Sequence, residues 1–221
     1  MKIVPDPEGT LEGIWPAFLL HDAISNRYWD RIYTEFPEFQ FKLVEDGEVL
    51  AEGNCIPVAG RPAQWRDAFL AAFERGGEPD HVCALAIMVA PAHRARGLSR
   101  VMLEHMRSLA APVGPLAAPV RPTLKERYPL IPIGEYVGWR REDGSHVDPW
   151  LRVHENVGGR ISGPAEEAML IEGPVEDWRR WTGLEFPGDG DYVVPGALVP
   201  VSVRDGHGVY REPCVWVDHP V

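Results

Sequence analysis

The chain has 221 residues, 45% hydrophobic and 25% charged, which is enough apolar material for one substantial core or two small ones and too much for a disordered polymer. Its formal net charge of −11 is spread evenly, with 11 basic and 16 acidic side chains over residues 1–111 and 11 and 17 over the rest, so no basic stripe offers itself to nucleic acid. No stretch is long enough for a membrane span, the amino terminus lacks the apolar core of a signal peptide, and Cys55, Cys83 and Cys214 are isolated among apolar neighbours; a cytoplasmic protein without disulfides is expected.

Taken in chain order, the first forty residues read as helical, because Trp15, Phe18, Leu19, Ile24, Tyr28, Ile32 and Tyr33 recur at three- and four-residue intervals before Pro37. Phe39–Leu43 and Val49–Val58 read as a hairpin turned by Asp46-Gly47. Residues 64–75 alternate faces like a helix and stop at Gly76-Gly77. The continuous apolar run Val82–Val89 predicts a central strand covered on both faces. Residues 97–111 carry Leu98, Val101, Met102, Met106 and Leu109 as the stripe of an amphipathic helix. The Pro-, Gly- and Ala-rich residues 112–120 mark a seam between an N-terminal half, 1–111, and a C-terminal half, 112–221, of one compact unit. Beyond it come a turn-rich, aromatic stretch, a helix near Val175–Trp181, and a final hairpin in which Tyr192–Val203 and Val209–Val217 flank Asp205-Gly206-His207-Gly208.

The segment Val89-Ala90-Pro91-Ala92-His93-Arg94-Ala95-Arg96-Gly97-Leu98-Ser99 joins the buried strand directly to the amphipathic helix. The first backbone N–H groups of a helix lack partners and the helix dipole adds positive potential, so such a junction stabilises an anion. Gly97 and Ser99 are small enough to let phosphates approach the main chain, and Arg94 and Arg96 can add charge-assisted bonds.

Arg94-x-x-Gly97-x-Ser99 in this setting resembles the pyrophosphate loop of the GNAT acyltransferase superfamily, with Ser99 where the pattern prefers Gly or Ala. The order of elements over residues 10–140 resembles that family as well. The resemblance implies an α/β (α+β) fold with a mixed, mostly antiparallel sheet, splayed central strands and flanking helices, here with an extended C-terminal hairpin. It implies acetyl-CoA or another acyl-CoA as co-substrate, gripped by Val89, Arg94, Ala95, Arg96, Gly97, Leu98 and Ser99. Transfer of the acyl group to a small-molecule acceptor, an amine foremost, follows from it; a homodimer is compatible with it.

For the chemistry, the distance of Tyr128 from the fifth strand resembles that of the family tyrosine that protonates the coenzyme sulfur. His154, in a polar run before Gly158-Gly159, is the titratable group expected as general base. The central strand has no carboxylate among residues 82–90, where many family members place a base. Thr123 with His154 resembles the Ser/Thr and His pair of GNAT-like decarboxylase domains, which keeps decarboxylation or S-acyl transfer as an alternative; a separate one is a protein that keeps the fold to bind acyl-CoA without catalysis. His81, His93 and His105 lack the paired spacing of a metal site, so no metal is expected.

Overall fold

The computed structural model describes residues 1–221. Strand β1 (Lys2–Pro5) opens the chain, and the helix expected over the first forty residues is reduced to α1 (Ala23–Glu35) with short 3-10 turns on either side, Ala17–His21 and Pro37–Phe39. Pro5, Pro7 and Pro16, together with Gly9 and Gly13 at φ of 72° and 69°, deny the intervening segment a continuous helical ladder. α1 starts where the Asp22 carboxylate accepts from the backbone N–H of Ile24 and Ser25.

The next elements fall where the hydrophobic pattern puts them. β2 (Gln40–Glu45) and β3 (Glu48–Val58) form a hairpin whose turn residues, Asp46 and Gly47, have φ of 52° and 86°, a left-handed pair that matches the twist of the strands. α2 (Trp65–Leu70) continues as one wide turn, Ala71–Arg75, and ends at Gly76. β4 (His81–Val89) leads into α3 (Leu98–Ala110), whose Met102, Leu103 and Met106 are completely buried. Each such side chain contributes about 1.5–3 kcal/mol by leaving water.

Residues 116–120, at the end of the seam and expected from the family order of elements as a further strand, form β5 (Leu116–Val120), which lies between β4 and the last strand, so a single sheet runs through both halves. α4 (Ile133–Tyr136) and α5 (Pro149–Asn156) follow. The stretch expected to be turn-rich then contains the longest strand, β6 (Arg160–Pro174). Gly163, Pro164, Glu166 and Glu167 hide it from periodicity, and two register shifts, between Ile161 and Gly163 and between Ala165 and Met169, absorb the irregular residues. α6 (Val175–Thr182), β7 (Gly190–Tyr192), β8 (Val201–Arg204) and β9 (His207–His219) complete the chain. The final hairpin is β8–β9, turned by Asp205 and Gly206 at φ of 49° and 72°; residues 193–200 are not extended in a strand as expected.

The nine strands run in the order β1-β2-β3-β4-β5-β9-β8-β7, with β6 also paired to β9, and every pairing but β4–β5 is antiparallel. α1 and α2 cover one face, where Tyr28, Ile32, Trp65 and Phe69 pack with Ile56, Cys83 and Trp216. α3 covers the other with Cys55 and Val82, the alternate residues of the same strands, and α5 packs there too through Trp150 and Val153.

Candidate active site

Two departures from regular pairing build the site. β4 and β5 are bonded only at Val82–Leu116 and Cys83–Ala117, so beyond these pairs the two parallel strands part. Where β3 meets β4, Asn54 pairs with Ala86 and Cys55 with Ala84, leaving Leu85 as the extra residue of a bulge. The bulge shifts the alternation by one, so that Leu85, Ala86 and Met88 all face the same cavity. The cavity has a volume of about 670 Å³, and Trp15, Trp29, Tyr33 and Trp65 supply its aromatic wall.

At the far end of β4, the chain passes through a short turn, Pro91–His93, into Arg94–Gly97. Ala95 and Gly97 are left-handed, with φ of 62° and 74°, and none of the backbone N–H groups of residues 95–99 donates to an acceptor within the protein. Five consecutive unpartnered donors at the start of a 13-residue helix form a nest for an anion. A Cβ built on Gly97 meets nothing within 4 Å, so the space in front of the nest is open. The two arginines differ. Arg96 is tied to Glu45 at 3.0 Å and to His93 at 3.1 Å, whereas Arg94 is exposed and makes no ion pair.

The cavity wall carries five carboxylates, Glu8, Glu12, Asp30, Glu52 and Glu212, against one cation, Arg121. Arg121 is itself neutralised by Glu212, which also accepts from the Tyr210 hydroxyl. Glu52 stands differently. It is 1% exposed and lies across from Met88; its Oε1 accepts from the N–H of Thr10 at 2.5 Å and Leu11 at 2.7 Å, while its Oε2 has no partner. Burial raises its pKa above the usual carboxylate value, against the two backbone donors. A buried carboxylate oxygen without a donor, in an acidic cavity, suits a cationic group and can take a proton from it.

The residues expected to be catalytic lie elsewhere. His154 is not in a polar loop: it is on α5, 2% exposed, with Nδ1 at 2.9 Å from Nε2 of His219 and its ring edge-on to Trp150. On β9, Glu212, Cys214 and Trp216 face the cavity side, so His219 and its partner His154 lie on the other side of the sheet. Burial, then the neighbouring imidazole, lowers the pKa of His154; burial brings His219 down to about 4. Tyr128 is 43% exposed, packs edge-on to Trp139, and does not line the cavity. Thr123 donates to Asp148 at 3.3 Å, and no hydrogen bond joins it to His154, which is engaged with His219.

Of the groups not singled out from the sequence, Glu52 and Glu212 leave a faint signal, and Tyr33, one apolar-stripe residue among several, leaves none. Glu52 lies within an extended run between Ala51 and Gly53, and Glu212 within Val209–Val217; a lone carboxylate in a strand buried on both faces is costly unless it has a task.

No known protein-family model matches the chain. Over 257 aligned positions it is 32% identical to the arginine N-acetyltransferase avaD of Aspergillus versicolor, an alignment that spans 98% of this chain and 88% of that protein. Its fold is similar to the loading GNATL domain of CurA from Lyngbya majuscula, with a TM-score of 0.57 and 20% identity over 88% of this chain and 82% of that one. It is also similar to the GphF GNAT-like decarboxylase in complex with isobutyryl-CoA, with a TM-score of 0.56 and 17% identity over 93% and 92%. At these identities the two structures speak for the fold alone.

Proposed function

Since the chain belongs to the GNAT superfamily and is an acyltransferase acting on an amine nitrogen, we propose that it moves an acyl group, acetyl foremost, from acyl-CoA to a cationic acceptor of the arginine class. The observation that carries this reading is the acidic cavity, and within it the unpartnered Oε2 of Glu52.

The open nest at Ala95–Ser99 fits the coenzyme pyrophosphate, with Arg94 free to add a charge-assisted bond and Arg96 held back by Glu45. Bound there, acyl-CoA supplies the thioester to be attacked. From the nest, the parting of β4 and β5 leads toward Leu85, Ala86 and Pro119, which border the cavity. Glu52 draws the cationic nitrogen by charge and removes the proton that must leave before nitrogen can attack; burial, by raising its pKa, makes it a stronger base than an exposed carboxylate. Glu8, Glu12 and Asp30 give the rest of the wall the same sign, which favours cations over neutral amines and repels anions. The aromatic wall excludes water, and holding the two substrates together provides the remaining rate enhancement.

The test is a panel of arginine, agmatine, lysine, a neutral aromatic amine and an acidic amino acid, each supplied with acetyl-CoA. Product is read by mass spectrometry and thiol release by absorbance. Acetylation of the cationic members ahead of the others is expected; preference for the neutral or acidic ones overturns the assignment. The relative's name, arginine N-acetyltransferase, supports the choice of arginine as first substrate.

A further inference from the structure

The cavity wall contains a second polar group that transfer of the acyl group needs, and its direction is set by a chain of hydrogen bonds beginning at two backbone carbonyls. Gln40, 1% exposed, donates through Nε2 to the carbonyls of Phe36 at 2.9 Å and Cys55 at 3.0 Å. A carbonyl can only accept, so the amide of Gln40 cannot turn over, and its Oε1 must accept in turn. It does so from Nδ2 of Asn54 at 3.1 Å. Asn54 is completely buried and cannot turn over either, because that would set its oxygen against the Gln40 oxygen; it keeps this orientation although its own Oδ1 then has no partner. The second hydrogen of Nδ2 points at the hydroxyl of Tyr33, 3.2 Å away. The hydroxyl oxygen thus accepts from Asn54, and its own proton has no acceptor in the protein.

We infer that Tyr33 is a one-way hydrogen-bond donor to the reacting centre, aimed by the Gln40–Asn54 relay at the oxygen that turns negative when nitrogen adds to the thioester carbonyl. This rests on the proposed acyl transfer. Tyr33 and Glu52 then form a complementary pair on one wall: the carboxylate takes the proton from nitrogen, the phenol stabilises the charge that appears on oxygen as the C–N bond forms, and as that charge re-forms the carbonyl the C–S bond breaks and CoA leaves as a thiolate that takes its proton from solvent. No proton leaves Tyr33. Burial pushes its pKa up to about 12, which keeps it protonated through the working range, and the Asn54 contact pulls the other way. The fit is tight: a Cβ on Gly9 would come within 2.7 Å of the Tyr33 oxygen, so only glycine lets the N-terminal segment pass over it.

The experiment uses Tyr33→Phe, Asn54→Asp and the double variant in the full-length protein, with kcat and KM measured for both substrates. Tyr33→Phe should lower kcat about a hundredfold and leave both KM values within about threefold. Asn54→Asp can only accept, so it turns the phenol proton away from the cavity and should cost a similar factor, with the double variant no slower than Tyr33→Phe. Unchanged kcat in Tyr33→Phe, or losses that multiply in the double variant, overturn the inference. A second measurement stands apart from activity: phenol titration by ultraviolet difference against Tyr33→Phe, in wild type and Asn54→Ala. If Asn54 donates to Tyr33, its removal moves the titration to higher pH; a move to lower pH, or none, refutes the relay even if Asn54→Asp fails to fold. Should the wild type acetylate none of the panel, the proposed function falls, and the sign of this titration still decides the polarity of Tyr33.

Discussion

Replacing Glu52 with Gln removes a charge and keeps a shape. The amide oxygen can still accept from the N–H of Thr10 and Leu11, so the N-terminal segment stays in place while the group that takes the proton is lost. Loss of a positioned general base costs about 10²–10⁴ in rate, or roughly 3–5 kcal/mol of transition-state stabilisation. In the wild type kcat/KM should rise with pH through the titration of Glu52, above the usual carboxylate range, and then level off; that limb should vanish in the variant. Stability should move the opposite way. A carboxyl whose pKa is raised by folding favours the native state while it is protonated. This contribution is lost as pH rises through the folded pKa, and it amounts to about 1.4 kcal/mol for every pH unit by which folding raises that pKa. The neutral amide avoids that loss, so Glu52→Gln should melt higher than wild type at pH 8 and show a smaller difference at pH 4. Thiol release across pH 5–9 and calorimetry at the two pH values are the assays. A variant that keeps more than about a tenth of wild-type kcat/KM, or that retains the pH limb, refutes Glu52 as the base.

Gly97→Glu should abolish coenzyme binding by calorimetry and leave the chain folded, because the new side chain enters open space in front of five unpartnered N–H groups and its left-handed φ costs only about 1–2 kcal/mol. Arg94→Ala should weaken CoA binding by about 1–3 kcal/mol, and Arg96→Ala by less, since Arg96 is already paired with Glu45; equal losses would show that both arginines reach the phosphates. His154 and His219 are both held neutral in the fold, so the unfolded chain binds more protons below its ordinary imidazole pKa. The pair's contribution to stability should therefore be complete above about pH 6.5 and fall between there and about pH 4, with a flatter profile over that range in the His154→Leu/His219→Leu variant. His154→Gln should lower the melting temperature and leave kcat near wild type, as befits a side chain on the face of the sheet away from the cavity.

The local pattern of residues is enough for β2 through α3. Val82–Val89 is apolar on both faces, Leu98–Leu109 carries a helical stripe, Asp46-Gly47 and Gly76 are turn and stop signals, and Gly97 at the strand-to-helix junction marks the turn of unpartnered N–H groups; each depends on neighbours within a few residues. The amino terminus departs from its helical reading because apolar spacing cannot register that Pro5, Pro7 and Pro16 break the ladder, and β6 escapes detection because its bulges scramble the alternation. The cavity wall proposed to carry the chemistry depends on tertiary structure. Leu85 bulges because β3 and β4 pair out of step there, and this brings Glu52, on the neighbouring strand, to the place where the central strand has no carboxylate of its own. His154 reads as available in the sequence, yet the alternation of β9 and the packing of α5 turn it, with His219, into the far face of the sheet. Tyr33 meets Asn54 across 21 residues of chain, and Asn54 meets Gln40 across 14. Contacts of that kind depend on register and on which face of a strand meets which helix, and a side chain acquires its protonation state and its hydrogen-bond direction only when those are set.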